Sequence, residues 1–182
     1  MSDELIIRYG SPTLAGIKTA NLFTYRYNDA STITDEIRSM NHRLVPLGLS
    51  IIPLRVFKGK VLLYLYRPDR LEHDFSSTEV AKLLGQFGYV PENPRRCIAQ
   101  LSKKVKESQQ FPHEIGLFLG YPPEDVCGFI NQQAEGYKCI GCWKVYGDVK
   151  KAEKQFACYK KCTELYCSRW AKGSSMESMI NP

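Results

Sequence analysis

The segment Lys60 to Tyr66 carries the unbroken apolar run Val61-Leu62-Leu63-Tyr64-Leu65-Tyr66. A strand with one wet face alternates polar and apolar residues, so a run of this kind needs cover on both faces and a central place in a sheet. Its partner is close by. Leu49 to Val56, joined to it through Phe57-Lys58-Gly59, completes a hairpin that Arg67-Pro68-Asp69-Arg70 ends. Pro53 has no N–H to give to a ladder, which puts the first strand at an edge or builds a bulge into it. Further strands are expected near 17–25 and 138–146. The fold class is then α+β: a mainly antiparallel sheet of about four strands, packed helices and a long C-terminal helix.

Helical periodicity fills the intervals. The chain opens on a short helix or strand over 1–9. After the turn cluster Asn28-Asp29-Ala30-Ser31-Thr32, Thr34 or Asp35 begins a helix to about Leu44, with Ile37, Met40 and Leu44 on one side. Ser76-Ser77-Thr78-Glu79 caps a helix to about Phe87. Asn93-Pro94 starts another, with Cys97, Ile98 and Leu101 inward and Lys103, Lys104 and Lys106 outward. Pro122-Pro123, with Glu124 and Asp125 at the positive end of the dipole, opens a helix over about 122–133. From the cap Asp148, a stripe of Val149, Ala152, Phe156, Tyr159, Thr163, Tyr166 and Trp170 alternates steps of three and four, the signature of a helix packed along one face. Gly173 ends it. One domain over 1–172 and a mobile tail over 173–182 follow.

At 182 residues and 43% hydrophobic content, the chain can bury a core without disulfide staples. Acids stand in the first five residues where a secretory signal carries bases, and no apolar run spans a membrane, so a cytoplasmic protein is expected. Seven cysteines, an odd and irregularly spaced number, read as reduced thiols. The net charge of +6 is confined to Lys138–Lys172, with nine bases against three acids. Interleaved lysines and aromatics can hold nucleic acid, but here the aromatics fall on the packing stripe and the lysines elsewhere. They read as a solvated face, and the partner expected is a protein or small molecule.

Three phrases carry a family resemblance: Pro12-Thr13-Leu14-Ala15-Gly16-Ile17-Lys18, the stretch Phe111 to Ile130, and Trp143-Lys144-Val145-Tyr146. Together they resemble the bacterial domain-of-unknown-function 3793 family of anaerobes. The resemblance implies a small cytosolic protein without an established activity, associated with genes for flavodoxin and ferrous-iron uptake. It also implies a cysteine just before the Pro-Thr phrase, where this chain has Gly10 and Ser11, and an aromatic residue at Cys142. Both departures matter, because the missing thiol removes a Cys-His nucleophile at that turn.

Candidate chemistry is limited to two places. The glycine, lysine and threonine around Gly10–Thr19 mimic a phosphate loop, but five residues rather than four separate the glycines and Ile17 intrudes before Lys18. His113 and Glu114 are the candidate catalytic pair, able to act as general acid or base. Leu117 stands where a zinc-protease helix needs its second histidine. Cys139, Cys142, Cys158 and Cys162 are the candidate metal ligands, spaced as two residues, fifteen and three, a pattern that can enclose zinc or an iron–sulfur cluster. Against this, a straight strand over 138–146 would set Cys139 and Cys142 on opposite faces about 10 Å apart. Only a knuckle at Ile140-Gly141 brings them together. His42 and His73 read as surface histidines, and Cys97 as a core residue. The functional expectation is a non-enzymatic binding or accessory protein tied to iron or redox metabolism. One alternative is an enzyme centred on His113 with a thiol such as Cys127 or Cys139, and another is a metal protein using the C-terminal cysteines.

Overall fold

The computed structural model describes residues 1–27, 29, 31–108 and 110–180. In chain order it forms α1 (Asp3–Leu14), β1 (Ala20–Arg26), α2 (Ile33–Leu44), β2 (Ser50–Phe57), β3 (Lys60–Tyr66), α3 (Pro68–Ser76), α4 (Thr78–Gln86), α5 (Pro94–Glu107), α6 (Ile115–Phe118), α7 (Pro123–Asn131), β4 (Cys139–Ile140), β5 (Lys144–Val145) and α8 (Val149–Ala171). β3 is the middle strand of a three-stranded antiparallel sheet in the order β1-β3-β2. Its side chains divide with period two. Val61, Leu63 and Leu65 enter one core with α1, α2 and α8, while Leu62, Tyr64 and Tyr66 face a second core with α3, α4, α5, α6 and α7. The unbroken apolar run thus reflects helices on both sides. β2 is an edge strand, and its register slips between Pro53 and Arg55, where proline removes a ladder donor.

Three local expectations are corrected, and a segment with no expected element, the second of the four, acquires one. α1 does not stop near residue 9 but runs through Pro12 to Leu14, and β1 starts only at Ala20. Gly16, at φ +72°, closes the helix: its N–H donates to the Thr13 carbonyl at 3.1 Å and that of Ile17 to Pro12 at 3.0 Å. Arg67 reaches the same helix end, donating from Nε to the Thr13 carbonyl at 2.7 Å and from Nη2 to Leu14 at 2.8 Å. Second, the polar segment after β3 is helix α3. Pro68 starts it and Leu71 and Phe75 are buried, with His73 on its exposed side. Third, the strand expected over 138–146 is a two-stranded hairpin, β4 and β5, outside the main sheet. Fourth, the stretch expected to be a mobile tail sends Met176 and Met179 into the core beside α1 and α8. There the Tyr166 hydroxyl donates to the Met179 carbonyl at 2.6 Å, and Arg43 binds both Asp3 and Glu177. Asn28 and Ala30 of the turn cluster, and the last two residues of the tail, lie outside the described residues. Among those described, no helix is long and apolar enough to cross a membrane.

Candidate functional site

The three motif segments meet around the small hairpin. Lys18, just past α1, lies over the Tyr121 ring with Nζ 5.3 Å from its centre. Tyr121, between α6 and α7, stacks on Trp143 at 4.6 Å, and Trp143 meets Phe156 of α8 edge-on at 4.6 Å. Gly120 sits against Thr19 so closely that a Cβ would fall 2.6 Å from the hydroxyl oxygen, and its φ of +71° also excludes a side chain. That hydroxyl donates to Asp74 of α3 at 2.5 Å.

Asp125 holds the hairpin in place. Asp125 is 3% exposed, and the bonds of its carboxylate all run to the hairpin segment Trp143 to Gly147. Oδ2 accepts from Trp143 Nε1 at 2.7 Å, and Oδ1 accepts from the backbone N–H groups of Tyr146 at 2.7 Å and Gly147 at 2.8 Å. Three donors on one buried carboxylate satisfy it fully. In the sequence Asp125 reads only as an acid at a helix start; the structural clue, an indole four residues before a glycine, lies far along the chain.

Between α7 and the hairpin opens a cavity of about 370 Å³, walled by Phe111, Ile115, Tyr121, Phe129, Ile140 and Trp143. His113 lines it, edge-on to Phe129 at 4.9 Å. Glu114 does not join its neighbour there. It is buried on the α5 side, where Oε1 accepts from the Tyr89 hydroxyl at 3.1 Å and from Lys104 Nζ at 3.0 Å. Of the candidate catalytic pair only His113 lines this cavity; the two residues share a neighbouring opening beside Lys104, where the Glu114 carboxylate is already bound. Ser11 is buried within α1, its hydroxyl donating to the Ile7 carbonyl, which is the ordinary bond of a helical serine.

The thiols are dispersed. Cys139 packs in the hairpin core with Trp143 and Val145. Cys142 lies at the hairpin tip and lines the His113 cavity. Burial pushes its thiol up, while the nearby Lys18 ammonium pulls the other way. Cys158 is exposed on α8, and Cys162, a turn later, is half-buried against the core of α1, with its thiol pushed up to about 11 by that burial and by Cys158. Among the described residues, no three His, Cys, Asp or Glu side chains gather to hold a metal ion. Cys127, on α7, has Glu79 and Glu124 as its charged neighbours and lines neither this cavity nor any cluster of thiols. Protein purified without oxygen is therefore expected to carry far less than one zinc or iron per chain and no visible charge-transfer band. Elemental analysis beside a Cys139→Ser variant checks this, and near-stoichiometric metal lost in the variant would restore the four-sulfur site.

Comparison with curated proteins and with solved structures found no match. Residues 6–180 match the model of a family described as Protein of unknown function (DUF3793), which spans all three motifs and nearly the whole fold, and the chain belongs to that family.

Proposed function

We propose that the protein is a non-enzymatic binding module of the cytosol, and that the cavity beside His113 takes a flat, largely apolar small molecule. The observation that carries this reading is the cavity itself. Its size falls in the range of small-molecule sites, and its walls are aromatic and aliphatic with few polar groups. The polar groups that do line it are mostly engaged. Asp125 is bound to the hairpin, and Lys144 donates to the Ala134 carbonyl at 2.6 Å. The His113 imidazole meets the Phe129 ring edge-on, makes no side-chain hydrogen bond among the described residues, and supplies one orienting group. Ile140, 65% exposed at the rim, and Phe111 extend an apolar approach. All seven cysteines are unpaired, which accords with a reducing compartment and with the iron or redox setting that the family resemblance implies.

A second reading, a Cys/His enzyme, draws support from Cys142 sharing the cavity with His113. The chemistry runs against it. A nucleophilic thiol needs stabilisation of its thiolate, and burial drives Cys142 the other way. The neighbouring acid that could orient His113 is bound elsewhere.

N-phenyl-1-naphthylamine, a neutral fluorescent probe, is expected to bind saturably with one site per chain. Ile140→Asp, which puts a charge on the rim without touching the core, should weaken it at least tenfold. Absence of saturable binding, or equal binding by the variant, would remove the proposal.

A further inference from the structure

We infer that Lys18 is the recognition group of a second site, distinct from the His113 cavity, which binds the carboxylate of a small organic acid with an apolar or aromatic body. Lys18 is 7% exposed, yet among the described residues no carboxylate lies within ion-pair distance of its ammonium and no carbonyl accepts from it. Buried ammonium groups are ordinarily paired, because an unpaired one forfeits its hydration. Here two ring faces stand in part for water, Tyr121 at 5.3 Å and Tyr159 at 5.7 Å. The remaining side opens into a cavity of about 320 Å³ formed by α1, β1, the hairpin tip and α8, with Tyr9, Pro12 and Phe156 as apolar wall.

The polar groups at this cavity are left with donors to give. Tyr159 accepts from Gln155 Nε2 at 2.6 Å, which leaves its own O–H free to donate. Asn21 accepts from the Thr13 hydroxyl through Oδ1 at 2.7 Å, which leaves its NH₂. With the three N–H groups of Lys18, the wall offers donors to an acceptor-only ligand. At the rim, exposed Lys160 and Glu164 oppose each other in charge, and among the described residues lining the cavity Lys18 is the one buried cation. One cation with apolar walls fits a monoanionic carboxylate, whereas phosphate would call for a larger set of donors.

The pH dependence has a defined sign. Burial draws Lys18 down to about 8, against a small upward push from Cys142. A bound carboxylate favours the charged amine, so affinity is greatest below pH 8 and falls above it, by up to tenfold per unit. The other titratable groups facing Lys18 are Tyr121 and Tyr159, pushed up to about 12, and Cys142, whose thiol is also raised; Tyr9, Lys160 and Glu164 stand around the cavity, and the Arg70 guanidinium, which donates to the Gly16 carbonyl, acts on Tyr159 from outside it. A Cys142→Ser variant is expected to keep the same profile.

The test is calorimetric titration of the full chain with benzoate and hexanoate at pH 7, beside inorganic phosphate and sulfate. Saturable binding of a carboxylate is expected, at least tenfold weaker in Lys18→Met, with phosphate and sulfate weaker than either acid in the wild type. In parallel, carbon NMR of the Lys18 side chain should show its titration moving upward when benzoate is present. No saturable carboxylate binding, equal binding by Lys18→Met, preference for phosphate, or a Lys18 titration that benzoate leaves unmoved would each overturn the assignment. The NMR arm uses wild-type protein and decides the matter even if the variant does not fold. The two cavities share Cys142, but Ile140 lines only the other one, so Ile140→Asp should weaken naphthylamine and leave benzoate binding unchanged, and either proposal can fail without the other.

Discussion

Asp125→Ala is expected to lower the unfolding free energy by about 3–5 kcal/mol and to release the hairpin from α7. The substitution strands three donors at once: the Trp143 indole N–H and the backbone N–H groups of Tyr146 and Gly147. Two of these are backbone groups next to the closed core around Val145, where water cannot readily replace the lost acceptor. Asp125→Asn separates the parts. Its amide oxygen can still serve the two backbone donors, but its NH₂ would face the indole N–H, donor against donor, at a cost of about 2 kcal/mol. Urea denaturation gives both values, and Trp143 emission, read in a Trp170→Phe background, should shift to the red in the alanine variant. Unchanged midpoint and emission would mean that the carboxylate is not the latch. Because Ile140 to Lys144 form one wall of the His113 cavity, the alanine variant should also lose the naphthylamine probe.

The second large effect is a change of sign between two glycines. Gly128→Ala and Gly85→Ala make the same substitution in helices, where alanine is intrinsically favoured by about 1 kcal/mol. At Gly85 an added Cβ meets nothing within 4 Å, so the variant should gain about 0.5–1 kcal/mol. At Gly128 the Cβ would stand 2.3 Å from Tyr146 Cγ and 2.5 Å from its Cβ. A ring held at its root cannot swing aside, so α7 must back away from the hairpin. The overpacking cost exceeds the helical preference, for a net loss of about 1–3 kcal/mol. Thermal melts of the two variants against wild type should move in opposite directions. A stabilised Gly128→Ala protein would show that α7 and the hairpin are not in this close contact.

What could be read from the sequence followed the reach of each signal. The β2–β3 hairpin, the slip at Pro53 and the stripe of α8 depend on neighbouring residues, and each came through in the fold. Where two local signals competed, the reading went astray. The first element was expected over 1–9, before Gly10-Ser11-Pro12, yet α1 runs through all three and closes two residues past Pro12, at Leu14. Gly141 and Cys142 sit inside a run of strand-like residues, yet they turn the chain back on itself. The site suffered most, because its partners are far apart in the chain. Lys18 beside a strand looks like any solvated lysine until Tyr121 and Tyr159 close over it. His113 and Glu114 look like a pair because they are adjacent, yet only His113 reaches the cavity beside the hairpin, while the Glu114 carboxylate is taken by Tyr89 and Lys104.

Arg67 gives the molecule an order of assembly. It follows the last residue of β3, and its guanidinium closes the end of α1 at carbonyls 53 and 54 positions earlier in the chain. Until β3 is paired, that grip has no fixed anchor, and the turn that carries Lys18 and Thr19 out of the helix has no fixed direction. The hairpin contacts are short-range and can form early, whereas the binding surfaces wait on a long loop being closed. A nascent or damaged chain with an unpaired central strand is therefore expected to lack both proposed sites, so that binding of either probe would report a chain that has finished folding.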